Sequence, residues 1–161
     1  SLPQLYGGKI SAALSRQHPR DLFDIKQMDI PLTDVKEGLI FCLLGSDRPI
    51  HESFAPNLID QHEAMERQFS GMSEIPFTYN DFEATREKLV NDVNSVMTED
   101  DRRFLIGFEE LSVDWENSPY SSFKEYPSVR WKMQNLQKLK ASNPKKLNAE
   151  ADKLRNIFGM E

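Results

Sequence analysis

Apolar residues recur at intervals of three and four along most of the chain, which is the spacing of helices that bury one face. The repeat is clearest for Phe82, Leu89, Val93 and Val96. No segment shows the sustained alternation of apolar and polar residues that is typical of a half-buried strand. The pattern therefore predicts an all-α fold, an irregular multi-helix bundle.

Prolines and capping residues predict where the helices begin. Proline suits the first turn of a helix, where no backbone N–H is needed, and it precedes or opens four apolar repeats: Pro3, Pro19, Pro127 and Pro144. We expect a first helix from Pro3 to about Ser15 and a second from Arg20 to Met28. Thr33 is expected to cap a third helix, which is apolar on most sides, ends at Gly45 and lies at the centre of the core.

The second half of the chain has two predicted caps and one break. Asn80 with Glu83 resembles a capping box, and Thr98, followed by three acidic residues, is expected to open another helix. The stretch GMSEIPFTYN is the clearest interruption of the helical pattern. We therefore predict a single helical domain over residues 1–161, or two lobes, 1–72 and 77–161.

Composition narrows the class of protein. Hydrophobic residues make up 39% of the 161 residues, enough for a modest core, and the net charge of −6 argues against a generally basic coat for nucleic acid. The lone cysteine, Cys42, lies in the apolar run LIFCLL, which favours a core thiol and a cytoplasmic protein. No run approaches the roughly 20 apolar residues that a helix needs to cross a bilayer.

Most familiar catalytic and binding patterns are absent from the sequence. The three histidines do not have the spacing of a zinc site, and no phosphate-binding glycine loop is present, so we predict no metal site in this chain. Trp115 and Trp131 are expected to pack as anchors rather than to stack on a base. The basic residues near the C-terminal end predict a solvated helix face, with an RNA-contacting face as the alternative. They are Arg130, Lys132, Lys138, Lys140, Lys145 and Lys146.

A charged corner between the first two helices is the remaining candidate. Lys9 and Arg16 lie two turns apart on one face of the first helix. Asp21 and Asp24 share a face of the second, where Arg20 and Asp24 have the spacing of an ion pair. A short connection would fold the helices together. These charges then form either salt bridges that brace the corner or one side of an active site.

The segment that holds these charges, LYGGKISAALSRQHPRDLFDIKQM, resembles a motif of the AbiEii/AbiGii toxin family of bacterial nucleotidyltransferases. That motif has a Lys, a small residue, an Arg, then Arg-Asp and a further Asp. Other segments resemble one subgroup of the family in the same order, so the resemblance covers nearly the whole chain. They are RPIHESFAPN, QFSGMSEIPFTYNDFEATREKLV, MTEDDRRFLIGFEE, DWENSP and YPSVRWKMQNLQKL.

The resemblance implies that the chain corresponds to the C-terminal half of such an enzyme. Family members are usually about twice as long. Their N-terminal half resembles a polymerase-beta-type α/β core, with a Gly-rich segment and an Asp-x-Asp pair that would hold Mg²⁺. Neither element is in this sequence, so we expect no nucleotide transfer by this chain alone.

The resemblance also implies roles for the charged residues. Lys9 would contact the triphosphate of a nucleoside triphosphate, with Arg16 or Arg20 as a second cation. Asp21 would orient Lys9 or assist the acceptor hydroxyl, and Asp24 would brace Arg20. The implied function is that of a toxin of a toxin–antitoxin or abortive-infection system, which transfers a nucleotide to an acceptor such as tRNA and has a cognate antitoxin as partner. The alternative is a non-catalytic helical interaction module.

Overall fold

The computed structural model describes residues 2–28, 30–69 and 75–161, and this part of the chain contains helices and no strand. The all-α prediction is confirmed. No helix among these residues is long and apolar enough to cross a membrane. The helices are α1 (Leu2–Arg16), α2 (Pro19–Gln27), α3 (Leu32–Leu44), α4 (His51–Phe54), α5 (His62–Phe69), α6 (Tyr79–Val96), α7 (Glu99–Glu109), α8 (Pro127–Ser142) and α9 (Pro144–Phe158), with a 3₁₀ helix at Ser121–Glu125.

The predicted central position of α3 is confirmed, because α3 packs against α1, α6 and α8. Its contact with α1 is unusually close and passes through two glycines. A Cβ added to Gly7 would lie 2.3 Å from the carbonyl carbon of Gly38, and one added to Gly38 would lie 2.0 Å from the carbonyl oxygen of Pro3. Only residues without a side chain allow the two backbones this separation.

The helix starts at prolines are largely confirmed, but two predicted caps are wrong. Pro31, not Thr33, occupies the N-cap of α3, because the helix already includes Leu32. The capping box of α6 uses Thr78 and Asp81 instead of Asn80 and Glu83. The predicted cap at Thr98 is confirmed, since its side chain accepts a hydrogen bond from the N–H of Asp101 and the Asp101 carboxylate accepts one from the N–H of Thr98.

The aromatic segment between α7 and α8 folds back over the core. Trp115 packs edge-on against Phe104 with a centroid separation of 5.5 Å, and Tyr120 donates a 2.6 Å hydrogen bond to Asp101. Trp115 is therefore the packing anchor that the sequence predicts. The same prediction for Trp131 is wrong, because 47% of that residue is exposed on α8.

Two further predictions concern the middle of the chain. Cys42 is half-buried in α3, so the prediction that its thiol lies in the core is confirmed only in part. The predicted boundary between two lobes, residues 73–76, overlaps residues 70–74, which lie outside the described part of the chain. The division into lobes stays a prediction.

Candidate functional site

An open groove of about 400 Å³ lies between α1 and α2. Leu5, Lys9 and Arg16 contribute one wall, because residues three, four and seven apart share a face of α1. Asp21 and Asp24 contribute the other wall from α2. The structure thus brings four of the five predicted site residues together.

An ion pair joins the two walls. Arg16 Nη2 lies 2.9 Å from Asp21 Oδ2, and the pair crosses the connection between α1 and α2. Both side chains keep access to solvent, so the pair adds little to stability, but it fixes the guanidinium beside the groove. Asp21 therefore pairs with Arg16 and not with Lys9, and its alternative role of assisting an acceptor hydroxyl stays a prediction.

Lys9, Asp24 and Arg20 have no ion pair within the described residues. Lys9 and Asp24 are exposed and line the groove, so an ammonium and a carboxylate are both free to meet a ligand. The predicted Arg20–Asp24 ion pair is wrong. Arg20 is exposed and does not line the groove, and its backbone N–H donates to the side chain of Gln68 on α5.

The corner itself is set by Gln17, a residue that the sequence analysis did not single out. Gln17 directly follows α1 with φ of 54°, the left-handed conformation that glycine usually takes after a helix. Its side chain is buried, and both of its polar atoms form hydrogen bonds. The Nε2 donates to Asn57 O at 2.8 Å, and the Oε1 accepts from Ile59 N and from Arg86 Nη1 at 3.0 and 2.9 Å.

Two more buried side chains hold the corner in place. Arg86 on α6 also donates to Ile59 O at 2.7 Å, and its guanidinium lies over the Phe82 ring at 4.8 Å. Gln61 donates from its Nε2 to the carbonyl oxygen of Arg16 at 3.1 Å. The groove is therefore built on a polar network that couples α1, the segment before α5, and α6.

The predicted exposure of the basic residues near the C-terminal end is confirmed for Arg130, Lys138, Lys140, Lys145 and Lys146 and is wrong for Lys132 alone, which belongs to a second charged cluster remote in sequence from the groove. Lys132 is only 6% exposed and donates to the carbonyl oxygens of Leu43 and Arg48, so it belongs to the interior. Glu109 on α7 is 4% exposed, and its Oε2 has no hydrogen-bond partner. Burial lowers the pKa of Lys132 to about 8 and raises the pKa of Glu109, while the attraction between the two charges opposes both shifts.

Glu109→Gln is expected to lower the pKa of Lys132 below its wild-type value of about 8, because the carboxylate favours the charged ammonium. In the unfolded chain this lysine keeps its proton up to about pH 10.5. Its contribution to stability therefore rises with pH between about 8 and 10.5 in the wild type, and from a lower pH in the variant. An NMR titration of the lysine Cε signals measures the pKa directly. An unchanged value would show that the two charges are not coupled.

The groove has few groups that could bind a metal ion. Within the described ranges no group of three or more His, Cys, Asp or Glu residues is arranged to hold a metal ion. The groove offers two carboxylates, one of them engaged by Arg16.

Compared with known proteins, the chain matches no family model, no curated protein sequence and no solved structure.

Proposed function

We propose that the groove binds the phosphates of a nucleoside triphosphate, as the helical wall of a nucleotidyltransferase active site of the AbiEii type. The observation that carries the proposal is an unpaired, exposed Lys9 beside an Arg16 that Asp21 orients. Two cations on one helix face are a suitable arrangement for a chain of phosphates, because each can meet a different phosphate oxygen.

The chemistry assigns distinct work to each side chain. In nucleotidyl transfer an acceptor hydroxyl oxygen bonds to the α-phosphorus, and the bond to the pyrophosphate leaving group breaks. Negative charge develops on the phosphate oxygens, where fixed cations such as Lys9 and Arg16 stabilise the transition state more than the ground state. Asp24 is the free carboxylate of the groove and is available to accept a hydrogen bond from a ribose or acceptor hydroxyl.

Magnesium does not fit the side chains of this groove as a dedicated site. Two-metal chemistry needs several carboxylates around each pair of ions, and here only Asp24 is free of a partner. On this proposal the ions bind to the aspartates of a nucleotidyltransferase core, and the present chain supplies cations for the nucleotide.

Exposed apolar residues at the start of α1 support the proposal that another domain covers the groove. Leu2 is 62% exposed and Leu5 57%, and both lie on the side of α1 that carries Lys9. An apolar edge beside a charged groove is typical of a surface that another domain or chain covers. In this proposal the core covers it, a tRNA acceptor end approaches the groove, and a cognate antitoxin binds the assembled toxin.

The same apolar edge also favours the second candidate, a non-catalytic helical interaction module. In that case Leu2 and Leu5 belong to a protein–protein contact, and the charges of the corner only orient α1 and α2. The two candidates differ in whether Lys9 contributes to chemistry.

Lys9→Ala is expected to reduce nucleotide transfer by about 10²–10³-fold, the effect of removing one fixed donor from a transition state. The test uses the longest reading frame that contains this sequence, with labelled nucleoside triphosphates, magnesium and tRNA. Lys26→Ala, an exposed change on α2 outside the groove, is the matched control. Circular dichroism checks that both variants stay folded.

Three results would contradict the proposal. Unchanged transfer by Lys9→Ala returns this lysine to a structural role. A reading frame without a Gly-rich segment and an Asp-x-Asp pair leaves the helical module as the function. Label transferred by the present chain alone would show that its own residues complete the site.

A further inference from the structure

A second cavity, of about 190 Å³, lies where the link between α3 and α4 meets α7, α8 and α9. The buried Glu109 and Lys132 both line it, together with the apolar Leu136 and Leu139. The half-exposed indole of Trp131 contributes the outer wall. The cavity shares no lining residue with the groove between α1 and α2.

The charges around this cavity differ in whether the protein itself satisfies them. Glu150 Oε2 lies 2.5 Å from His51 Nε2, and Arg48 Nη1 lies 3.6 Å from Glu52 Oε2. Other charged groups form no ion pair within the described chain, although Glu109 and Lys132 attract each other at longer range. They are Glu109, whose Oε2 has no partner, Lys132, which uses two of its three N–H donors, and Asp47 and Lys146, which form no ion pair.

These groups consist of two acids and two bases, which decides the charge of a ligand. A simple cation would meet the ammonium groups of Lys132 and Lys146, and a simple anion would meet the carboxylates of Asp47 and Glu109. A ligand with one positive and one negative end can match both sets. A buried carboxylate with an unpaired oxygen is costly until a donor reaches it, so binding of an ammonium group there is favoured.

We propose that this cavity binds a free zwitterionic α-amino acid. The ammonium group bonds to Glu109, the carboxylate meets Lys132 and Lys146, and an apolar side chain lies against Trp131. The site is independent of the proposed nucleotide groove, because no residue of the groove takes part.

The chain contains two tryptophans, which makes a direct titration informative. Trp131 lines the cavity, whereas Trp115 is buried against Phe104 and serves as an internal control for folding. Leucine is expected to shift the indole N–H signal of Trp131 in NMR spectra and to leave that of Trp115 unchanged. 4-Methylpentanoate, which lacks the ammonium group, and 3-methylbutylamine, which lacks the carboxylate, are each expected to bind at least about tenfold more weakly.

Substitutions distinguish specific binding in the cavity from non-specific binding at the surface. Glu109→Gln is expected to weaken leucine binding by about tenfold or more, with the Trp115 signal showing whether the core is intact. Lys146→Met, an exposed change, should also weaken it, whereas Arg130→Ala, outside the cavity on α8, should not. The proposal fails if leucine causes no Trp131 shift at millimolar concentration. It also fails if either analogue binds as tightly as leucine, or if Lys146→Met with an intact core binds like the wild type.

Discussion

Gly7→Ala is expected to lower the free energy of unfolding by about 3 kcal/mol, at the upper end of overpacking effects. The reason is steric: the new methyl group would lie 2.3 Å from the carbonyl carbon of Gly38 and 2.5 Å from the amide nitrogen of Leu39. Both atoms belong to the α3 backbone and cannot move aside as the end of a long side chain can. The helices α1 and α3 must separate instead, which opens the centre of the core.

The neighbouring residue offers a matched control. A Cβ added to Gly8 would find Cys42 Sγ as its nearest neighbour, at 4.0 Å, so the substitution fits without displacement. Because alanine is the better helix former, Gly8→Ala is expected to stabilise the chain by up to about 1 kcal/mol. Urea denaturation of the two variants measures the difference. Equal stabilities would show that α1 and α3 are not in the close contact described above.

Gln17→Ala is expected to cost about 3 kcal/mol, because three hydrogen bonds of a buried side chain are lost together. The guanidinium of Arg86 loses one of its two acceptors, and the backbone of Asn57 and Ile59 loses its link to the corner. Gln17→Gly removes the same bonds but suits the φ of 54°. It is therefore expected to be about 1 kcal/mol more stable than Gln17→Ala.

Gln137→Ala is the control for this series, since Gln137 is exposed on α8 and its loss is expected to change stability by less than about 0.5 kcal/mol. Thermal unfolding followed by circular dichroism gives the order of the four proteins. If Gln17→Ala matches the control, the polar network does not hold the corner. If Gln17→Gly is no better than Gln17→Ala, the left-handed backbone at this position costs nothing.

The sequence predicts the helices well where local chemistry decides. Pro19, Pro127 and Pro144 open helices in the structure, and Thr98 caps α7, because each of these effects acts within one turn. The common face of Lys9 and Arg16 follows from helical spacing in the same way. Such features need no knowledge of the rest of the fold.

The ion pairing in the groove depends on contacts between helices, which cannot be inferred from the spacing of residues along one helix. Arg20 and Asp24 have the separation of a helical ion pair, yet Asp21 pairs with Arg16 across the corner instead. The choice depends on the angle between α1 and α2, which Gln17 sets through residues 40 to 69 positions away along the chain. A polar residue in a connection gives no sequence signal for such a role, although its position directly after a helix is one where a left-handed backbone is common.

The burial of Lys132 is not evident from the sequence for a similar reason. Lys132 has exposed and basic neighbours in the sequence, and only the packing of α8 against the end of α3 turns it inward. Trp131 beside it then faces outward, because adjacent residues of a helix point in different directions. Because Lys132 is buried where exposure is predicted, its neighbour Trp131 is exposed where burial is predicted.

The close crossing at Gly7 and Gly38 has a consequence for recognition. Lys9 follows Gly7 by two residues on the same helix, so the contact that immobilises the crossing also immobilises the backbone that carries this ammonium group. In the proposed function, a phosphate ligand meets a cation whose backbone is already ordered, and we expect the loss of conformational entropy on binding to be confined to side chains. Gly7 does not line the groove, yet we expect a substitution there to change the affinity of the proposed site as well as stability. In this sense a residue without a side chain belongs to the proposed binding site.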